Sequence, residues 1–359
     1  WPIKPSKRGK LDKKNQQGPL QEQINPIIAL ISSGQTQEAL DSVEVLIKDY
    51  PNELVLFNIS GACYAGLGQF DAAIKRYEQA LAIKPDYADV HNNLGNALLR
   101  FGKLDAAVNS LEKALAIKPD YPDAYFNLGN TLQKLGKLDA AVNSYEKAIA
   151  IKPDYVEAHY SLGLSLQELG QLDDAVKSFQ RVLQLKPEFA TLHNNLAVIL
   201  KELGRFNIAV EHLEKALSIK PDFAEAHNNL GNVLKELDQY DAAHKSYEKA
   251  ISIKPDFAEA HFNLAGVLID IRRIGEAVKS YESALSFDSN NNFFWAIFSK
   301  NLRDIEFLEF SDTTASCLLE ALTKPTVRAN DLIKPITSIL RHNPTFHRVF
   351  EASKSSNID

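Results

Sequence analysis

The chain has 359 residues, a hydrophobic content of 45%, a net charge of -6 and a pI of about 5.9. That is ample apolar content for a buried core, and the acidic balance argues against nucleic acid as a partner, because phosphate binding draws on a basic face. No apolar run approaches the roughly 18 residues of a membrane span and no secretory signal pattern opens the chain. Cys63 and Cys317 are too few and too distant in sequence for a disulfide framework, so a cytoplasmic, reducing location is expected.

Residues 1–19 are polar and basic and are expected to be flexible. The chain starts at Trp1 and contains no methionine, which leads us to expect a longer reading frame around it. From residue 20 a period takes over. Lys-Pro-Asp or Lys-Pro-Glu recurs at Lys84, Lys118, Lys152, Lys186, Lys220 and Lys254, each 34 residues after the last. A fixed period of that size is the mark of a stacked-repeat array. Extending the frame gives eight units over 20–291, the first and last degraded in the way end caps are.

The unit 88–121 shows the local logic. His91, Leu94, Gly95 and Leu98 fall on one face of a helix. Gly102 and Lys103 interrupt it, and Ala107, Val108, Leu111, Ala114, Leu115 and Ile117 form a second apolar stripe. Pro119 ends that stripe, since proline disfavours helical geometry at the residue before it. Asp120 and Asp123 have the spacing of a capping box, as do Asp86 and Asp89, Asp154 and Glu157, Asp222 and Glu225, and Asp256 and Glu259. Small residues recur where helices must approach: Gly61, Gly95, Gly129, Gly163, Ala197, Gly231 and Ala265 in the first helix. Tyr77, Leu111, Tyr145, Phe179, Leu213, Tyr247 and Tyr281 fill the complementary places in the second. The expected fold is all-α: a right-handed superhelical solenoid of about eight helix–turn–helix repeats, followed by a helical extension over 292–359.

The small residue in the first helix, the alanines of the second and the closing proline, all at this period, resemble the tetratricopeptide repeat. The near-identical units are most similar to bacterial arrays and to the arm of O-linked N-acetylglucosamine transferases. The resemblance implies that the first helices line a concave groove. It also implies a role for the row Asn93, Asn127, Asn195, Asn229 and Asn263, which Ser161 interrupts. That row resembles the asparagine ladder with which the transferase arm holds the backbone of an extended peptide. Each Asn costs about half a kcal/mol or more against Ala in a helix, and an amide offers both donors and acceptors to a peptide of any sequence. Local bonding of the amides within the array is the competing explanation. The expected groove residues are Asn92, Asn93, Asn96, Phe126, Asn127, Asn130, Tyr160, Asn194, Asn195, Asn228, Asn229, Asn232 and Asn263.

His91, His159, His193, His227 and His261 also recur at the period. One per repeat is too sparse for a metal site, and packing on the neighbouring helix is expected. Lys201 and Lys235 are each followed by a glutamate, Glu202 and Glu236, and read as solvated surface. The pattern contains no phosphate loop, metal spacing or nucleophile motif. No cofactor and no catalytic residue is therefore expected in this chain, and the activity of a longer product is left open.

In the tail, "FFWAIFSKNLRDIEFLEF" is apolar enough to dock on the last repeat. Ser311 or Asp312 would cap the next helix, and "RANDLIKPITSILRH" and "NPTFHRVFEAS" read as two more. Residues 318–346 resemble the connector of bacterial proteins that join such arrays to a C-terminal methyltransferase, sulfotransferase or glycosyltransferase domain. The sequence thus points first to a protein–protein interaction module that captures an extended peptide or protein segment. The second reading is the substrate-recruiting arm of a larger transferase, and the third an assembly scaffold that uses its convex face.

Overall fold

The computed structural model describes residues 17–307 and 311–343. Among them every regular element is a helix. The chain divides into two units, Trp1–Leu185 and Lys186–Asp359. The first holds α1 (Gln17–Ser32), α2 (Thr36–Asp49), α3 (Leu54–Gly66), α4 (Phe70–Ile83), α5 (Ala88–Phe101), α6 (Leu104–Ile117), α7 (Pro122–Lys134), α8 (Leu138–Ile151), α9 (Val156–Glu168) and α10 (Leu172–Leu185). The second holds α11 (Ala190–Glu202), α12 (Phe206–Ile219), α13 (Ala224–Glu236), α14 (Tyr240–Ile253), α15 (Ala258–Asp270), α16 (Ile274–Phe287), α17 (Asn292–Leu302), α18 (Asp312–Ala321) and α19 (Ala329–Arg341). Residues 17–19, read from sequence as part of a flexible segment, already belong to α1. The "NPTFHRVFEAS" helix lies outside the described residues.

Each repeat pairs a first helix with a second that folds back on it. The small residue of the first helix is a steric requirement. A Cβ placed on Gly129 would sit 2.5 Å from Cε1 of Tyr145, and Gly61, Gly95, Gly163 and Gly231 meet Tyr77, Leu111, Phe179 and Tyr247 in the same way. Those partner side chains, with the alanines Ala73, Ala107, Ala141, Ala175, Ala209 and Ala243, are fully or almost fully buried. Burying a Leu or Phe side chain contributes about 1.5–3 kcal/mol, and only close backbone approach lets the stripe exclude water.

The turn between the two helices needs a left-handed residue. Gly34, Gly68, Gly102, Gly136, Gly170 and Gly204 supply it with φ between 71° and 90°. The next two turns lack glycine, and Asp238 (φ 57°) and Arg272 (φ 66°) adopt the conformation instead.

The capping boxes expected from Asp-x-x-Asp/Glu do not form. The N-cap residues are Tyr87, Tyr121, Tyr155, Phe223 and Phe257, and none has a side-chain cap bond. The proline sets this start. Lys84, Lys118, Lys152, Lys220 and Lys254 are held extended before it, so the aspartate after the proline falls one residue outside the cap. Two other contacts fasten the turn. The lysine ammonium lies over the ring three residues on, 4.3 Å from the ring centre for Lys118 and Tyr121 and 4.4 Å for Lys152 and Tyr155. The repeated histidine then bonds the proline carbonyl through Nε2: His91 to Pro85 at 2.8 Å, His159 to Pro153 at 3.0 Å, His261 to Pro255 at 2.9 Å. The histidines therefore tie a turn to its own helix, a partner that reading them as packing residues did not supply.

At the end of the second unit, α17 begins at Asn292, one period after α15 begins at Ala258. Ser299 of α17 is buried at the small-residue place of Ala265. Phe294 stacks on Phe262 with centroids 4.2 Å apart, and Trp295, Phe298 and Leu302 form a core with Leu318, Leu332 and Ile339 of α18 and α19. Ser311 caps α18 by accepting from the Thr314 N–H, as its sequence suggests. Pro335 lies inside α19 and is buried.

Candidate functional site

The first helices carry the amides, and the structure shows what those amides do. In the first unit, Asn93 Nδ2 donates to Asn58 Oδ1 at 3.0 Å and Asn127 Nδ2 donates to Asn92 Oδ1 at 2.9 Å. In the second, Asn229 donates to Asn194 at 2.9 Å and Asn263 to Asn228 at 3.1 Å. Each bond joins residues 35 apart, so it reaches from one repeat to the next. Four of the five amides of the row thus donate to the adjacent row of amides.

This divides the expected groove residues into groups. Asn92, Asn194 and Asn228, read from sequence as groove surface, are only 7%, 7% and 2% exposed and act as the acceptors of these rungs. The rung donors Asn93, Asn127, Asn229 and Asn263 are half-buried. In each, one amide proton is used, and the Oδ1 is left without a partner among the described residues. Asn96 and Asn195 are exposed. Asn195 accepts a long 3.4 Å contact from Asn194. Phe126 packs against Tyr155 and Tyr145, with centroids 5.1 and 6.0 Å away, and Tyr160 against Phe179 at 5.8 Å. Both rings are half-buried.

Asn130 and Asn232 form a further kind of amide. The Tyr145 hydroxyl donates to Asn130 Oδ1 at 2.9 Å and the Tyr247 hydroxyl to Asn232 Oδ1 at 2.8 Å. These tyrosines come from the second helix of the same repeat. Burial pushes both phenols well above their usual range, so each remains a proton donor. With its oxygen held, the Asn232 amide turns its NH2 to the remaining side. Asn96 has no such anchor, because Leu111 occupies the tyrosine's place.

In the second unit Asn232 and the rung donor Asn263 share a cavity of about 380 Å³. Asn232, Asn263, Asn301 and the Tyr281 ring line it, with Lys201 and Lys235 at its edge. Lys235 is paired with Asp270 at 3.2 Å. Asn301 Nδ2 donates to the Tyr281 hydroxyl at 2.6 Å, which leaves that hydroxyl's proton for another acceptor. A smaller cavity of about 140 Å³ in the first unit is bordered by Asn93, Asn96, Tyr77 and Arg100. Sequence reasoning missed the tyrosine anchors and Asn301. The first were legible as Tyr145 and Tyr247, 15 residues after their amides; Asn301 lies where the residue pattern has faded.

Among the described residues no group of three His, Cys, Asp or Glu is arranged to hold a metal, and no helix is long and apolar enough to cross a membrane. Family profiles described as TPR repeat match residues 61–102, 100–136 and 134–170. Those described as tetratricopeptide repeat match 156–189, 188–256 and 228–292. No curated protein matches by sequence. Among solved structures, MamA is 27% identical over 45% of this chain and 95% of its own, with a TM-score of 0.44. YrrB, titled a TPR protein with an unusual peptide-binding site, is 24% identical over 51% of this chain and 95% of its own, with a TM-score of 0.45. The Cut9–Hcn1 hetero-tetramer of the APC/C is 19% identical over 77% and 55%, with a TM-score of 0.43. With its profiles tiling residues 61–292 and its helix pairs repeating at the same period, the chain belongs to the tetratricopeptide-repeat family.

Proposed function

We propose that the chain binds an extended peptide or protein segment on the surface of its first helices and is not itself a catalyst. One observation carries this reading: in the cavity of the second unit, Asn232 presents an unpaired NH2 and Asn263 an unpaired Oδ1. A peptide unit requires one donor for its carbonyl and one acceptor for its N–H, and this pair offers both without reading the side chain between them. Each such bond contributes about 0.5–1.5 kcal/mol net. The Tyr247 anchor adds pre-organisation, since the amide is already turned before the ligand arrives.

The test is retention of blocked random heptapeptides by the immobilised chain. Asn232→Ala is made together with Tyr247→Phe, so that no buried hydroxyl is orphaned. Retention is expected to fall several-fold while the thermal melt stays cooperative. Unchanged retention by the folded double variant would overturn the proposal. The transferase-arm reading adds a catalytic domain to the same capture surface; it rests on the resemblance of residues 318–346 and is tested by reading the gene past Asp359.

A further inference from the structure

The turns of this chain carry their own cations. Lys84 lies over Tyr87, Lys118 over Tyr121, Lys152 over Tyr155, Lys220 over Phe223 and Lys254 over Phe257, with ammonium-to-centroid distances of 4.3–5.2 Å. One period beyond Lys254 the residue is Asp288, so the sign is reversed. Close by, Phe293 at the start of α17 is 63% exposed, the most exposed of the large apolar side chains described. The ring that the lysine covers in those repeats is replaced here by Asn291, and Phe293 lies two residues beyond it.

Phe293 borders a cavity of about 540 Å³ whose walls include Phe257, Phe262 and Phe294. Phe293 and Phe262 stand 5.9 Å apart between centroids. Three carboxylates, Asp256, Glu259 and Asp288, face this cavity against one ammonium, Lys254, which is already over Phe257. Asp288 accepts from Asn291 through one oxygen and Glu259 accepts from Asn228 through one, so each retains an oxygen for a further donor. Glu259, Phe262 and Asn263 also line the amide cavity, so the two spaces adjoin.

We propose that this aromatic cavity receives an arginine or lysine side chain of the bound segment. The inference rests on the peptide-binding reading above and gives it a side-chain preference. The aliphatic stem lies along the exposed Phe293 ring, and Glu259 and Asp288 pair with the cationic head. Charge complementarity selects this occupant. An acidic side chain would meet three carboxylates, and an apolar one would leave them unused. Arginine is favoured over lysine because its planar head stacks on a ring and still reaches a carboxylate.

The experiment uses four pools of blocked heptapeptides that differ only in a fixed central Arg, Lys, Leu or Glu, tested on the full chain. The expected order of retention is Arg, Lys, Leu, Glu. Phe293→Ala is expected to reduce the Arg-over-Leu preference about three-fold, the size of one exposed cation–ring contact. Glu259→Gln, which keeps the oxygen that Asn228 uses, is expected to reduce it again and to weaken its dependence on salt. Phe293 is surface-exposed, so its variant should melt as the parent does. Equal retention of all four pools overturns this inference and leaves peptide capture standing, as does an Arg preference that survives both substitutions. Retention of no pool overturns both.

Discussion

The Asn127 side chain donates to the Asn92 carbonyl oxygen across 2.9 Å, from one repeat to the one before it. The amides are thus part of the array's internal bonding. Removing Asn92 restores helix propensity of about half a kcal/mol or more but strands a half-buried donor, at about 1–3 kcal/mol. Asn92→Ala and Asn127→Ala are each expected to destabilise by ~1 kcal/mol. The double variant is expected to cost less than the two singles added, with a coupling of about 0.5 kcal/mol or more. Urea melts of the four proteins in the cycle check this. Additive costs would mean the rung holds nothing.

Gly129 lies against the Tyr145 ring, with 2.5 Å between the position a Cβ would take and the nearest ring carbon. Gly129→Ala gains helix propensity yet forces the ring to move, and a net loss of about 1–3 kcal/mol is expected from overpacking. Tyr145→Leu introduced on top should not recover it, since a Cβ on Gly95 would lie just as close, 2.5 Å, to Cγ of Leu111. The thermal midpoint of each variant gives the comparison.

Asp238 and Arg272 hold the left-handed conformation that six glycines hold elsewhere. An L-residue there costs roughly 1–2 kcal/mol, less for Asp, whose short side chain tolerates it. Asp238→Gly and Arg272→Gly are expected to raise stability, Arg272→Gly by about 1 kcal/mol and Asp238→Gly by less. The Tyr240 hydroxyl bonds Asp238 at 2.7 Å, and losing that contact further trims the gain. A lowered melting temperature for Arg272→Gly would refute the argument from backbone strain.

His193 and His212 face each other with Nδ1 atoms 2.9 Å apart. His193 Nε2 bonds the Pro187 carbonyl and so carries the proton, leaving its Nδ1 to accept from His212. Burial holds both rings below the usual histidine range, with Lys215 opposing charge on His193, His193 opposing it on His212, and Glu211 favouring it. Burial also lowers His227. The unfolded chain therefore binds more protons than the folded one between the depressed values and about 6.5, and stability falls as pH falls through that window. In five of the other repeats Ser110, Ser144, Ser178, Ser246 and Ser280 occupy the place of His212, whereas Arg76 stands there in one. His212→Ser should flatten the pH dependence of the melting temperature across the histidine range, from about one unit above 6.5 to about one unit below it. An unchanged slope would show that the pair does not drive it.

Much of this architecture can be read from residues. The period of Pro85, Pro119 and Pro153 marks the helix ends, and Gly95 opposite Leu111 marks the close approach, because both are steric and leave a fixed residue type. Capping was misjudged because Asp86 and Asp89 have the right spacing but the wrong phase: Pro85 fixes the start at Tyr87, which spacing alone does not reveal. Asn92, Asn194 and Asn228 are buried where an open face was expected, for a related reason. A face assigned by helical period says which way Asn92 points relative to its own helix, but burial there is set by the neighbouring repeat, whose Asn127 covers it. The pairing was present in the sequence as an interval of 35 residues, one more than the repeat period, a difference visible only when two repeats are read together.

That interval makes a rule of succession. An amide at the position of Asn58 or Asn92 is met by an amide in the next repeat, whereas Phe126 is followed at the same interval by Ser161. Repeat genes gain and lose whole units by unequal recombination, and the rungs decide which losses the fold tolerates. Excising 88–121 would bring Asn127 to Asn58 and leave the match intact, while excising 122–155 would set the buried Asn92 against Ser161, whose side chain is shorter and carries no amide. The repeats look interchangeable, but their order carries a grammar.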